Sequence, residues 1–468
     1  MPAIFIGGYY GANNIGDDAI LGTIIHSLQK QRNDLRFIVA SFNPDITRAK
    51  FNVESVHWRH ISELASCVQR ADLVVVGGGG LFQDYWGIEP NTYLRSMHGG
   101  ITTYGTLPKL ADLFGIPCML YAVGVGPLFS EESRQQTKEI FSLCATSTLR
   151  DQNSEQLLRE TGYDGTTEVT ADPVFGLEVT EEDRQHTATI LNEIEWKASS
   201  PLVAVSLRYW EQDISPTNWT NSLAAQLDKF IQRTDAHLLF TPFQDDPESQ
   251  FTNDTALNQA VAGKIVNSRN IHVVEKILRP GEMQSLYDQC EMVIAMRLHA
   301  SILSVNAGTP VFAIAYDPKV ISLMEEFELQ DCTTSLKTLD QFDARLAASW
   351  QKRETLKNAI LVHRPILQAR AGRNTEIALH LLESHQSKAK DKKAVEFALE
   401  RIRQMELMDE ELSALKQSLA SLKTQMDELT TKKAQLEARL YEIESSRGWK
   451  LLERLKGLRK RITHLMGK

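Results

Sequence analysis

Short apolar runs alternate with helical spacing through the first 177 residues. Ala3–Ile6, Phe37–Ala40, Leu73–Val76 and Cys118–Val123 are apolar throughout, and Asp17–Gln31, Ser130–Cys144 and Ser154–Glu160 carry helical patterns between them. Strands that are apolar on both faces and alternate with helices predict a parallel sheet covered on both sides. In such sheets ligands bind at the carboxyl ends of the strands. Several of the predicted strands run into glycine-rich turns at that end.

Residues 178–200 are charged and helical and end in Ser199-Ser200-Pro201, which predicts a linker. The alternation then restarts. Leu202–Leu207, His237–Thr241, Ile271–Val274, Met292–Ala295 and Val311–Ala315 read as strands, with Met283–Gln289 and Ser301–Ala307 among the helices between them. The expectation is two Rossmann-like α/β domains, residues 1–177 and 201–384, with a cleft between their facing strand ends.

Residues 385–404 form a polar segment, and a heptad follows over 405–444. Position a holds Met405, Leu412, Leu419, Met426, Lys433 and Leu440; position d holds Met408, Leu415, Leu422, Leu429, Leu436 and Ile443. A seam apolar at all positions but Lys433 predicts a C-terminal coiled-coil helix, and Lys433 at position a favours a homodimer over higher oligomers. A single long helix packed on its own domain is the alternative. Residues 445–468 then place Leu451, Leu452, Leu455, Leu458, Ile462 and Leu465 on one stripe, with basic residues elsewhere and Trp449 at the start. That pattern suits peripheral contact with an anionic membrane, or a helix packed against a partner.

Charge sharpens this division. The 468 residues carry 60 acids and 51 bases. Residues 445–468 hold eight Lys or Arg against Glu453 alone, so a +7 tail is joined to a body of −16 and the whole chain is −9. An acidic body argues against nucleic acid as the main partner. The five cysteines at 67, 118, 144, 290 and 332 form no CxxC pair, so reduced thiols in a cytoplasmic protein are expected. No signal peptide is apparent in MPAIFIGGYYG, and the uncharged run Leu113–Ser130 contains Pro117 and Pro127, which fits strand and loop better than a membrane span.

Five segments carry candidate chemistry. In GGYYGANNIGDDAI (7–20), Gly16 and its neighbouring glycines let backbone N–H groups approach a ligand at a helix start, while Asp17 and Asp18 either serve the site or cap the helix. In DLVVVGGGGLFQD (72–84), Gly78, Gly79 and Gly80 leave the backbone bare, and Asp84 is a binder of sugar hydroxyls, a base or a turn residue. In STLRDQNS (147–154), Arg150 either grips a phosphate or carboxylate or pairs with Asp151 at the surface. In EMVIAMRLHA (291–300), Arg297 and His299 share a side if the strand reaches them, and a histidine there either exchanges a proton or is structural. Lys319 follows a strand in AIAYDPKV (313–320). Three cations from at least two domains suit a small, multiply charged anion. No cluster has metal-ligand spacing, and Asp245-Asp246 is only a weak metal motif, so neither a metal nor a resident cofactor is expected.

Taken together, YYGANNIGDDAI, VVVGGGGLFQD, GVGP (124–127), LRDQNS, ADPVF (171–175), MRLHA and YDPK (316–319) resemble the polysaccharide pyruvyl transferase family over roughly residues 3–325. The resemblance implies a two-domain, glycosyltransferase-B-like enzyme. It implies transfer of the enolpyruvyl unit of phosphoenolpyruvate onto two hydroxyls of a glycan acceptor, forming a cyclic pyruvate ketal. Carried over residue by residue, it implies His299 as general acid, with Arg150, Arg297 and Lys319 holding the anionic groups. Asp17 or Asp84 is the expected aid to deprotonation. A lipid-linked acceptor would account for the basic tail. Two other readings remain open on sequence: a nucleotide-sugar glycosyltransferase of similar architecture, and a non-catalytic scaffold organised by its coiled coil.

Overall fold

The computed structural model describes residues 1–85, 87, 92–95, 100–194, 196, 199–211, 215–384 and 392–466. The chain divides into two units, Met1–Arg403 and Gln404–Lys468.

The first unit holds two parallel sheets. One comprises β1 (Ala3–Gly7), β2 (Arg36–Ser41), β3 (Glu54–His57), β4 (Leu73–Phe82), β5 (Cys118–Val125), β6 (Thr146–Leu149) and β7 (Glu168–Val169), in the order β3-β2-β1-β4-β5-β6-β7. The other comprises β8 (Leu202–Ser206), β9 (His237–Phe240), β10 (Ile271–Val273), β11 (Met292–Ala295), β12 (Val311–Ile314) and β13 (Thr333–Thr334), in the order β10-β9-β8-β11-β12-β13. In both sheets the order reverses next to the first strand. That leaves a crevice between β1 and β4 and another between β8 and β11, the switch points where open α/β sheets bind ligands. The central strands β1, β5, β8, β11 and β12 are buried at every position, because helices cover both faces.

The charged segment after residue 177 forms the helix Glu181–Glu193, started by a capping box between Thr180 and Asp183. It is docked on the second domain: His186 Nδ1 lies 2.6 Å from Glu282 Oε1, and the Thr187 hydroxyl donates to the Glu282 carbonyl at 3.2 Å. The long helix Arg353–Ser384 returns to the first domain. Arg364 donates to the Asn306 carbonyl in the second domain, and Arg370 then donates to the Thr170 carbonyl in the first. One turn on, the Asn374 amide oxygen accepts from Thr148 and Thr170, and Tyr121 and Thr375 share a hydroxyl hydrogen bond of 2.9 Å. The last helix of the second domain therefore straps the two sheets together. All five cysteines are free.

Of the polar segment 385–404, residues 385–391 lie outside the described residues. The helix Lys392–Ser445 follows, then the helix Arg447–Met466. A long C-terminal helix thus occupies the heptad, and its seam residues from Met408 to Ile443 are exposed within the single chain, Met405 being half-buried. Among the described residues, no helix is long and apolar enough to cross a membrane.

Candidate active site

The loop after β1 leads into the helix Ile15–Gln31, and its cap is neither of the expected aspartates. The Asn14 side chain accepts from the Gly16 N–H at 2.9 Å, leaving Asp17 and Asp18 for other contacts. Asp18 is buried against Lys50, 2.7 Å away. Asp17 faces a cavity of about 490 Å³ between the two sheets. The same loop closes one edge of that cavity: the Ile15 N–H donates to the Phe243 carbonyl, and Asn14 forms an isolated bridge with Gln244 of the second domain.

Arg150, Arg297, His299 and Lys319 all line this cavity. Arg150 leaves β6 and is 8% exposed, so a surface ion pair is excluded. Its guanidinium lies 3.2 Å from Asp151 and 3.7 Å from Asp172. Gly124 makes room for it, since a Cβ there would stand 2.7 Å from an Arg150 nitrogen. Arg297 is held by Asp254 at 2.6 Å, and its buried Nε has no hydrogen-bond partner. Lys319 is held by Asp317 at 2.7 Å. Each of the three expected cations thus arrives with its own carboxylate. The cavity is less positive than a count of Lys and Arg implies, and its N–H donors are oriented in advance.

Arg208, which follows β8, was not among the sequence candidates. It lines the cavity, donates to the Tyr316 hydroxyl at 3.2 Å, and has a buried Nε without a partner. Burial pushes the Tyr316 phenol up, but Arg208, Lys319 and Arg297 outweigh it, so the pKa falls below the usual tyrosine value. The Tyr316 ring packs against Trp210 at 4.6 Å with the planes tilted by 52°, and Trp210 meets Tyr85 of the first domain edge-on at 5.7 Å. This aromatic row forms one wall of the cavity.

His299 stands in the first turn of the helix Leu298–Ala307. Its Nε2 lies 3.6 Å from Asp172 Oδ2, and neither atom has a hydrogen-bond partner. Burial pushes the Asp172 carboxyl up, but the imidazole, Arg150 and the Val174 N–H outweigh it and hold it below the ordinary value. Asp17 shows the opposite balance. Burial is the largest influence, aided by Asp18 and Asp172, and it exceeds the pull of His299 and Arg297, so the carboxyl is pushed up to about 7.

Residues 14–318 match the family model for polysaccharide pyruvyl transferase. The chain belongs to the polysaccharide pyruvyl transferase family. It is 23% identical to the amylovoran biosynthesis protein AmsJ of Erwinia amylovora, over 72% of this chain and 88% of that protein. Its fold is similar to the S. aureus MnaA-UDP co-structure, at 15% identity with a TM-score of 0.56 over 84% of this chain and 100% of the other. It is also similar to a putative UDP-N-acetylglucosamine 2-epimerase from Listeria monocytogenes, at 11% identity and a TM-score of 0.55, again over 84% and 100%. At these identities the two structures show a shared two-domain fold of the glycosyltransferase-B kind, and the family membership shows a transferase.

Within this family member, several candidates stand differently from expectation. β11 ends at Ala295, so Arg297 and His299 share no strand face; Arg297 is the N-cap of the following helix, and both reach the cavity from its first turn. β4 continues through the glycines to Phe82, bulging against β5 between Gly79 and Phe82. Gly78, at φ +68°, is a packing position: a Cβ there would stand 2.0 Å from Ile20. Gly79 and Gly80 do line the cavity. Asp84 is engaged elsewhere, its carboxylate accepting from the Phe129 and Ser130 N–H groups and from the Ser133 hydroxyl. That network fixes the loop before the helix Glu131–Leu143 and leaves no role for Asp84 as a base. Gly16 is where its neighbour needs it: a Cβ would stand 2.2 Å from His299 Nδ1. Asp172, present in the ADPVF motif but given no role on sequence, is the residue that meets both Arg150 and His299.

Proposed function

We propose that the cavity binds phosphoenolpyruvate and transfers its enolpyruvyl unit to two hydroxyls of a glycan, forming a pyruvate ketal. One observation carries this reading: Arg150 from the first domain and Arg208, Arg297 and Lys319 from the second converge on one cavity with His299. A donor with both a phosphate and a carboxylate needs several oriented N–H groups, and the side chains of Arg150, Arg208 and Arg297 line the cavity. The helix Leu298–Ala307 has no side-chain cap, so its first N–H groups also favour an anion.

His299 protonates the methylene carbon of the donor, and positive charge develops at the carbon bearing the phosphate. The Asp172 carboxylate lies 3.6 Å from the imidazole Nε2, close enough to hold the ring in place. A sugar hydroxyl attacks that carbon, the bond to the phosphate oxygen breaks, and a second hydroxyl closes the ring. One hydroxyl proton leaves on the departing phosphate; the other is taken by Asp17 and passed through solvent, restoring the proton that His299 gave to the methyl group, so one donor and one diol give one ketal and one phosphate. Asp17, pushed up to about 7, is matched to proton exchange near neutral pH. The aromatic row Tyr85, Trp210 and Tyr316 suits the apolar face of a sugar ring.

The test is donor-dependent phosphate release in the presence of candidate glycans, with the ketal methyl group followed by proton NMR. Consumption of a nucleotide sugar without consumption of phosphoenolpyruvate would assign the cavity to a glycosyltransferase instead. We also propose a cytoplasmic enzyme that pairs with a second copy through the seam Met405–Ile443. Sedimentation of the full chain should give a dimer mass that Leu422→Asp reduces to one chain; an unchanged mass would refute the pairing.

A further inference from the structure

The helix Arg447–Met466 carries Leu451, Leu455, Leu458, Ile462 and Leu465 at alternating spacings of four and three, so they form one stripe. All five are more than half exposed. Arg454 and Arg461 follow one border of the stripe and Arg459 the other, with Lys450, Lys456 and Lys460 further round; Glu453 is the only acid in the helix. A stripe of this kind has to be covered by something, and the helix itself narrows what that is.

Continuation of the preceding seam does not cover it. Carried past Ile443, the heptad runs through Arg447, Lys450, Arg454, Gly457, Arg461 and His464, none of them apolar. The helix breaks at Ser446, and the stripe beyond lies off the seam. Self-pairing through the stripe is opposed as well. It would set Arg454 of one copy against Arg459 of the other, at the flanking positions where opposite charges stabilise a coiled coil. An anionic surface satisfies both features, because its apolar layer takes the leucines and its headgroups take the bordering guanidinium groups.

We propose that the helix Arg447–Met466 lies in the interface of an anionic phospholipid bilayer, apolar stripe inward and basic borders against the headgroup phosphates. The inference rests on this helix alone and is independent of the donor bound in the cavity. The test is flotation of the full chain with two kinds of vesicle: equal parts phosphatidylcholine and phosphatidylglycerol, and phosphatidylcholine alone. Binding should be at least about tenfold tighter to the anionic vesicles and should weaken as salt shortens the screening length to about 8 Å and below. Leu458→Glu with Ile462→Glu should abolish flotation. Arg454→Gln with Arg459→Gln and Arg461→Gln should weaken it and flatten its salt dependence. Turnover on a soluble acceptor should be unchanged in both variants, which reports that the body remains folded. Equal binding to both vesicles, no binding at low salt, or flotation that survives the glutamates would overturn the proposal. So would a fall in oligomer mass on introducing the glutamates, which would assign the stripe to a second copy.

Discussion

Gly16 lies against the His299 ring so closely that a Cβ added to it would stand 2.2 Å from Nδ1 and 2.5 Å from Cγ. The first helix of one domain and a helix N-terminus of the other therefore meet at a contact only glycine allows. Gly16→Ala must push aside a ring rather than the end of a flexible chain. Overpacking of this kind costs about 1–3 kcal/mol. A displacement near 1 Å at the reacting group lowers the rate by about 10²-fold. The expected result is a modest fall in Tm with a much larger fall in kcat. Wild-type kcat in this variant would show that the imidazole position does not matter.

His299→Ala should lower kcat by about 10²–10⁴-fold, the range for a general acid. Asp172→Asn keeps the shape beside His299 Nε2 and Arg150 but removes the charge. It should lower kcat, by less than the His299 variant does, because the carboxylate charge beside the ring and the Arg150 guanidinium is lost. A loss below tenfold for His299→Ala would remove it from the proton-donor role.

Asp17 gives a prediction with a definite sign. The folded chain keeps the proton on this carboxyl up to about pH 7, against an ordinary value of 3.8. Between these values the native state binds more protons than the unfolded state, so this group lowers stability as pH rises through the window. The full displacement is worth on the order of 4 kcal/mol. Asp17→Asn should therefore raise Tm at pH 8 and leave it nearly unchanged near pH 4. If Asp17 is the base, the rise of kcat/KM through about pH 7 should disappear in the same variant. Melting curves and rate profiles at matched pH check the two halves separately.

Arg208→Ala should raise KM for phosphoenolpyruvate by about 10- to 100-fold, the worth of a hydrogen bond to a charged group. Arg208→Lys should recover only part of the loss, because a point charge does not reproduce the planar fork over Tyr316. Equal KM for all three proteins would place the donor away from this side chain.

The central strands were legible because burial on both faces leaves a continuous apolar run: Ala3–Ile6 lies within β1, and Met292–Ala295 coincides with β11. β3 was not, since Glu54 and His57 lie at its ends and interrupt any such run. The helix Ile101–Phe114 also escaped, with Gly105 and Pro108 inside a pattern that reads as broken. For the site, a cation or histidine just past a strand identified Arg150, Arg297, His299 and Lys319. Arg208, directly after the run Leu202–Leu207, carries the same signal. Asp84 and Asp172 could not be sorted by spacing. Asp84 is taken up by the Phe129–Ser133 segment after β5, whereas Asp172 faces Arg150 and His299 at the cavity; both sets of partners are remote in sequence, and only the folded chain distinguishes them.

The most direct measurement is the reaction of the full chain with phosphoenolpyruvate and an acceptor glycan in deuterated water. Protonation of the methylene carbon followed by ring closure predicts one ketal per phosphate released, with a single deuterium in each ketal methyl group. A ketal methyl group free of deuterium, or phosphate released with no ketal formed on any acceptor, would contradict the account.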